Sequence, residues 1–347
     1  MSALSIAVIQ GGPSSEACVS RASAEGVAAA LERAGHRVAR VELDEDAPAA
    51  LRAGRFDVAF PVTHGAFGED GCLQGLLELL PLPYVGANVL ASALAMSKPM
   101  AKLAFAAAGL PLARGLTFTR GEATPRALAE RALAEIGARL VVKPAANGSA
   151  IGVARLEEGS SVAEVAAAIE AAFEVDAAVL VEHFARGREV TCGVVDLHAE
   201  VARASGVAAL AEHAGAAVAL PPTEILAPAD AFYTYEARYA PGRSQHACPA
   251  PLPASVAERV QRVAVGAHRA LGVRDLSRVD FVVGDLHDPD AVTLLEVNTL
   301  PGFTPTSLYP EAAGVLGLAL PTLCDLLARS AHARGTTPRN IARPLPK

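Results

Sequence analysis

Apolar and polar positions fall in blocks along this chain. SIAVIQ is a short apolar run that stops at Gly11-Gly12, and apolar positions then recur at helical spacing from Val19 to Leu31 until Gly35 closes the pattern. Strand, turn and helix are the prediction. RVARVEL and FDVAFPV predict further strands and EDGCLQGLLELL a further helix. The alternation fits an α/β domain with a parallel sheet to about residue 95. LASALAMSKPMAKLAFAAAGLP reads as one helix leading into the next unit.

From about residue 112 the order changes. Strand RGLTFT, helix PRALAERALAEI, strand RLVVK, loop PAANGSA, strand IGVARL, helix SVAEVAAAIEAAF and strand AAVLVEHF describe a hairpin flanked by helices, a small α+β domain. Strands dominate again from about 187. The stretch from Ala227 to Pro253 is rich in Pro, Gly, Tyr and charge, and a loop of that length inside a folded domain is usually functional or disordered. Ser255 and Glu258 form an S-x-x-E capping box ahead of a helix that Gly272 ends, and the final TTPRNIARPLPK reads as a frayed tail.

Composition narrows the function classes. The chain has 347 residues, 52% of them hydrophobic, enough for two or three domains with their own cores. A formal net charge of -7 without a Lys/Arg block offers no footprint for nucleic acid or an anionic membrane, so the implied partners are small molecules. Five scattered cysteines lack metal-site spacing and are expected to be reduced and mostly buried. No basic residue precedes Arg21 and the first apolar run is only strand-length, so neither a signal peptide nor a membrane span is expected and the location is cytoplasmic.

The polar residues at strand ends carry the chemistry. RVDFVV and AVTLLEVN flank the turn GDLHDPD. If that turn centres on Asp288 with one register throughout, Asp280 lies opposite Glu296 and Arg278 opposite Asn298, all on one face. Two carboxylates and an amide oxygen suit a hard divalent cation such as Mg²⁺, while a hairpin of this kind taken alone more often presents a solvated outer face. VVKPAANGSAIGV ends a strand on Lys143 and follows it with a small-residue loop whose N–H groups suit phosphate oxygens, though a plain hairpin turn has the same composition. In VLVEHFARGREV, backbone at Phe184 and Ala185 can bracket a purine and Glu189 can hold ribose hydroxyls; Glu182 and Glu189 also fit solvated strand-edge acids. GGPSSEACVS and HGAFGEDG each follow a strand and open a helix, placing Glu16 and His64 where strand ends meet a ligand crevice.

Taken in order over essentially the whole chain, GGPSSEACVS, HGAFGEDG, MSKPMAK, VVKPAANGSAIGV, VEHFARGREV, FYTYEARY, SRVDFVV and LLEVNTLPGFTPTSL resemble the D-alanine-D-alanine ligases of the ATP-grasp superfamily. The resemblance implies mixed α/β and α+β structure in three domains: 1–110, 111–186, and 187–347 with a lid loop at 227–250. It implies ATP-dependent joining of two D-alanine molecules through a D-alanyl phosphate, for peptidoglycan precursor synthesis, in a homodimer. Lys98, Lys143 and Arg238 would contact phosphates, and the loop through Gly148, Ser149 and Ile151 would close over them. Glu182 with backbone at Phe184 and Ala185 would hold adenine, and Glu189 the ribose. Asp280, Glu296 and Asn298 would hold two Mg²⁺ ions, with Mn²⁺ as a substitute.

For the amino acids, the resemblance implies that Glu16 binds the first ammonium and His64 lies near its carboxylate. Ser307 and Leu308 would anchor the second carboxylate. Arg278 and the Gly302 N–H would stabilise the tetrahedral oxyanion, a role worth roughly 3 kcal/mol of barrier per donor. Tyr239 would join Glu16 and Ser149 in a triad that closes the lid and keeps water from the acyl phosphate. Several positions depart from the family pattern: Arg238 replaces a lysine, Ala150 removes a hydroxyl, Ala17 replaces a bulkier polar residue, and Leu300 and Phe303 flank the substrate loop with apolar bulk. A D-alanine-D-lactate ligase is the alternative, with Tyr239 arguing for an amine nucleophile. A non-catalytic nucleotide-binding protein of the same fold is a third reading.

Overall fold

In the computed structural model, residues 2–148, 151–226, 245–304 and 306–336 are described. The strands form three sheets. The first is parallel, in the order β2-β1-β3, from β1 (Ser5–Gln10), β2 (Arg37–Glu42) and β3 (Val58–Pro61). The second is antiparallel, in the order β4-β7-β5-β6, from β4 (Gly115–Thr119), β5 (Leu140–Pro144), β6 (Ala154–Leu156) and β7 (Ala178–His183). The third contains β8 (Arg188–Asp196), β9 (Val218–Ala219), β10 (Thr223–Leu226), β11 (Gln245–Ala247), β12 (Asp275–Val283) and β13 (Val292–Asn298). Its order is β11-β10-β8-β12-β13, with β9 added beside β8.

The Gly11-Gly12 turn after β1 works as the sequence predicts. Both residues have positive φ, which strains any L side chain, and a Cβ on Gly11 would lie 1.8 Å from Glu42 Oε1 and force that carboxylate aside. The buried Ser20 hydroxyl accepts the Gly11 N–H at 2.8 Å and ties the turn to helix α1 (Ala17–Arg33). That turn brings Glu16 to the mouth of the helix. A helix α2 (Ala47–Gly54), absent from the sequence reading, crosses between β2 and β3, and α3 (Cys72–Leu79) follows the His64 loop.

The predicted single helix over residues 91 to 110 is two helices, α4 (Val89–Met96) and α5 (Lys98–Ala107), bent by 106°. Pro99 is the cause. A proline cannot donate the helical hydrogen bond to the carbonyl four residues before it and its ring crowds that carbonyl, so a continuous helix through Pro99 is broken, and the chain leaves helical geometry at Ser97, the extended N-cap of α5. Pro99 instead occupies the first turn of α5, where its missing N–H costs nothing, and Lys98 begins that helix.

Two other expectations are corrected. The Ala254–Ala270 helix is capped two residues earlier than the predicted box, by Pro253 in place of Ser255, so Ser255 lies inside the helix and Glu258 pairs instead with Arg262. The capping box that does form is Ser161 with Glu164, at the head of α7 (Val162–Val175), which packs with α6 (Pro125–Glu135) on the second sheet. The cysteines are free, but only Cys192 and Cys324 are buried; Cys18 and Cys72 sit exposed in the first turns of α1 and α3, and Cys248 is half-buried.

The cores show how the sheets are tied together. The second sheet with α6 and α7 encloses its own cluster around Phe118, Leu140, Ile169 and Val181. The first sheet shares one cluster with the third, joining Ile6, Val8 and Phe60 to Leu276, Tyr309 and Leu327. Ala91, Ala101 and Phe105 of α4 and α5 pack with Val279, Phe281 and Val297 of the third sheet. Among the described residues no single helix is long and apolar enough to cross a membrane.

Candidate active site

β12 and β13 pair antiparallel with Arg278 opposite Asn298 and Asp280 opposite Glu296, the register expected at this end of the hairpin. It does not persist. A bulge follows Asp280, so that Phe281 pairs with Leu294 and Leu295 is the extra residue. The alternation breaks there, and both Leu295 and Glu296 line one cavity.

Each acid of this pair faces a cation. Arg278 donates to Asp280 from Nε and from a terminal nitrogen, each at 2.9 Å, and Thr191 Oγ1 donates to Asp280 Oδ1 at 2.7 Å from neighbouring β8. Lys98 Nζ lies 3.3 Å from Glu296 Oε2. Asn298 Oδ1 accepts the Leu300 N–H at 3.0 Å, which turns the chain into the loop that follows. Among the described residues no three His, Cys, Asp or Glu side chains converge as a closed cage. Two facing carboxylates and an adjacent amide oxygen nevertheless fit Mg²⁺, which takes oxygen ligands and keeps much of its shell for water and phosphate.

The second sheet supplies another wall. Lys143 of β5 and Glu182 of β7 are both buried, and Lys143 contacts one oxygen of Glu182 while Lys102 of α5 contacts the other. Burial alone raises a carboxyl pKa, but the two lysines outweigh it and hold Glu182 below the usual carboxylate range. Phe184 donates its N–H to the Arg139 carbonyl at 3.1 Å, so a base contact at Phe184 falls to its carbonyl. Lys98, aimed by the α4–α5 bend, also donates to the Asn147 carbonyl at 2.7 Å, and its own N–H to the Ala145 carbonyl at 2.9 Å. These bonds tie α5 to the glycine-bearing loop after β5.

The first sheet contributes Glu16 and His64, both buried. Ser14 Oγ donates to the His64 carbonyl at 2.6 Å, which joins the two loops. Glu69 accepts the Gly65 N–H at 2.7 Å and lies 3.9 Å from His64 Nδ1, beyond hydrogen-bond reach, so it acts on the ring through charge. Burial disfavours the imidazolium and Arg278 opposes it, yet Glu69 and Glu16 prevail and the His64 pKa is raised. Its Nε2 is buried with no protein partner.

The loop after β13 closes the cavity. A Cβ on Gly302 would lie 2.8 Å from Ser307 Oγ, a contact that real Cβ atoms do not make. Ser307 Oγ accepts the Thr304 N–H at 2.9 Å and lies 2.7 Å from Thr304 Oγ1. Ser307 is also the N-cap of the Leu308–Val315 helix, whose first N–H groups suit a carboxylate. Behind the loop, Phe303 packs edge-on against Phe60 at 5.7 Å and beside Tyr309 at 6.0 Å.

All of this meets in one cavity of about 570 Å³. It collects Glu16, His64, Lys98, Lys143, Gly148, Glu182, Phe184, Ala185, Glu189, Arg278, Asp280, Glu296, Asn298, Gly302, Ser307 and Leu308. Ile151 is exposed and is not in that lining. Ser149, Arg238 and Tyr239, with most of the expected lid, lie outside the described residues. Sequence reasoning missed Glu69, Thr191 and Lys102. Lys102 follows Lys98 by four residues on α5 and so shares its face, a signal open to a helical reading.

Family models described as "D-ala D-ala ligase N-terminus" and "D-ala D-ala ligase C-terminus" match residues 42–87 and 104–329. A D-alanine–D-alanine ligase of Desulforamulus reducens is 39% identical over 333 residues, spanning 95% of this chain and 99% of that protein. The solved structure of the D-alanine-D-alanine ligase from Coxiella burnetii superposes with a TM-score of 0.76 at 29% identity, over 95% of this chain and 96% of that one. The Bacillus anthracis ligase complexed with ATP gives 0.75 at 28% identity, over 96% and 98%. Each of these relatives carries the name D-alanine–D-alanine ligase, so the D-lactate alternative drops away. The parallel sheet followed by two antiparallel sheets is the ATP-grasp arrangement of these structures. With both family models matched and near-complete coverage of a relative well above the identity that fold alone would need, this chain belongs to the D-alanine–D-alanine ligase family.

Proposed function

We propose that this enzyme uses ATP to join two D-alanine molecules into D-alanyl-D-alanine, with domains over 1–110, 111–186 and 187–347. The observation that carries the reading is the single cavity to which all three sheets contribute. Lysines and Glu182 come from the second sheet and α5, the Asp280–Glu296 pair from the third, and Glu16 and His64 from loops of the first.

Lys98 and Lys143 neutralise the phosphates, Glu182 and the Phe184–Ala185 backbone hold the base, and Glu189 holds the ribose. Gly148 lies against Glu16, with a Cβ there 3.7 Å from Glu16 Oε2, which supports a loop that closes over the reacting groups. Asp280, Glu296 and Asn298 would hold Mg²⁺, which when bound offsets phosphate charge and polarises the transferred phosphoryl group. With the two acids so occupied, Arg278 and Lys98, which now face them, would be available to substrate oxygens.

Glu16 takes the first D-alanine ammonium and the His64 imidazolium sits by its carboxylate. A carboxylate oxygen attacks the terminal phosphorus, ADP leaves, and a D-alanyl phosphate forms. The second D-alanine, its carboxylate held by Ser307 and the Leu308 N–H, attacks the acyl carbon with its amine. Arg278 and the Gly302 N–H hold the charge that develops on the acyl oxygen, and phosphate departs with the original carboxylate oxygen. The 227–250 segment, with Arg238 and Tyr239, acts with Ser149 as the lid that excludes water.

We place the enzyme in the cytoplasm as a homodimer that serves peptidoglycan precursor synthesis. Incubating the protein with ATP, Mg²⁺ and D-alanine tests the activity: dipeptide, ADP and phosphate form in equal amounts. Turnover of ATP without dipeptide, or none that depends on D-alanine, contradicts it.

A further inference from the structure

Lys102 is absent from the cavity lining, yet it sits directly behind Glu182. Its ammonium donates to the Ala113 carbonyl at 3.0 Å and contacts Glu182 Oε1, and its side chain is 14% exposed. The charges that face Glu182 come from two elements, Lys143 of β5 and Lys102 of α5. On the β4 side the partner residue is Gly115, where a Cβ would already lie 3.0 Å from the Glu182 Cγ.

The two lysines differ in what they are free to do. Lys143 lines the cavity and has phosphate to meet when nucleotide enters, whereas Lys102 is held by the Ala113 carbonyl outside it. We propose that Lys102 is a positioning residue that keeps Glu182 ionised once nucleotide is bound, and so sets a preference for 6-amino over 6-oxo purines. The proposal rests on the ATP-dependent reading above.

The chemistry follows from the donor inventory. An ionised carboxylate only accepts hydrogen bonds, so it pairs with a 6-amino group and repels a 6-oxo oxygen. A buried carboxyl without its cation takes up a proton, becomes a donor, and accommodates the 6-oxo purine. Lys102 acts through Glu182 rather than on the substrate.

The test compares ATP with ITP, which differs in the 6-substituent and the N1 proton, in dipeptide synthesis from pH 6 to 9. The wild-type enzyme should favour ATP by a ratio of kcat/KM that stays flat over this range. In Lys102→Gln the ratio should fall roughly tenfold at pH 6, through KM, and recover toward pH 9 as Glu182 ionises. Lys102→Arg, which keeps the charge, should restore the wild-type ratio. An unchanged ratio in Lys102→Gln at both pH limits overturns the proposal. So does a wild-type ratio that collapses at pH 6, an observation independent of how any variant folds. A wild type that makes dipeptide with neither triphosphate overturns the ligase reading itself, and with it this role for Lys102.

Discussion

Asp280 and Glu296 stand directly opposite one another on the β12–β13 ladder. Facing like charges on a sheet are destabilising unless offset, and here Arg278 and Lys98 offset them from the protein side. The sheet thus holds a pair of acids whose mutual repulsion a metal ion can relieve while releasing two cations toward substrate.

Replacing Glu296 by Gln keeps the shape and removes one charge. Turnover should fall at least ~100-fold, while stability stays within roughly 0.5 kcal/mol of wild type because the lost repulsion offsets the lost ion pair. Phosphate release and a thermal melt read the two effects. Near-normal turnover would remove Glu296 from the metal site.

Gly302→Ala tests the acyl end. The new methyl meets Ser307 Oγ at 2.8 Å, and its relief displaces either the Gly302 N–H or the Ser307 hydroxyl. A fall in kcat of roughly 100-fold is expected with the fold retained, the size of losing one oxyanion donor. Steady-state kinetics with ATP saturating would show it, and a fully active variant would take Gly302 out of the oxyanion site.

Phe303 supports that loop from below. Its ring fills the space between Phe60 and Tyr309 in the cluster shared by the first and third sheets. Phe303→Ala should cost ~3–5 kcal/mol of stability, read by urea unfolding. A cost under ~1 kcal/mol would mean that the loop packs by other means.

Parts of this site are legible in the sequence, and the failures have physical causes. Alternation along RVDFVV and EVN places Arg278, Asp280, Glu296 and Asn298 correctly because side-chain direction in a strand has a period of two. The bulge at Leu295 escapes that reading, although the adjacent Leu294 and Leu295 already break the alternation. The α4–α5 bend carries its signal openly in Pro99, and its consequence is where Lys98 points. Thr191 has no local signal, because its bond to Asp280 exists only once β8 and β12 are known to be neighbours. Glu69 reaches His64 within its own loop through a glycine-rich turn that no periodicity describes.

His64 and Glu69 give the site a pH dependence with a definite sign. The His64 pKa is raised, so the imidazolium proposed to attract the D-alanine carboxylate is fully present below the ordinary histidine value and lost as pH rises through the higher folded one. Glu69→Gln removes the largest charge that sustains it. The rise in the D-alanine KM with pH should therefore start at a lower pH in Glu69→Gln than in wild type. Identical KM–pH profiles would show that Glu69 acts only on the loop.

The proposed mechanism turns on transfer of the phosphoryl group to a D-alanine carboxylate before the peptide bond forms. D-Alanine labelled with ¹⁸O in its carboxylate tests it directly, by mass spectrometry of the phosphate and the dipeptide. One ¹⁸O is expected in the released phosphate for each dipeptide formed. Dipeptide formed with unlabelled phosphate would contradict it.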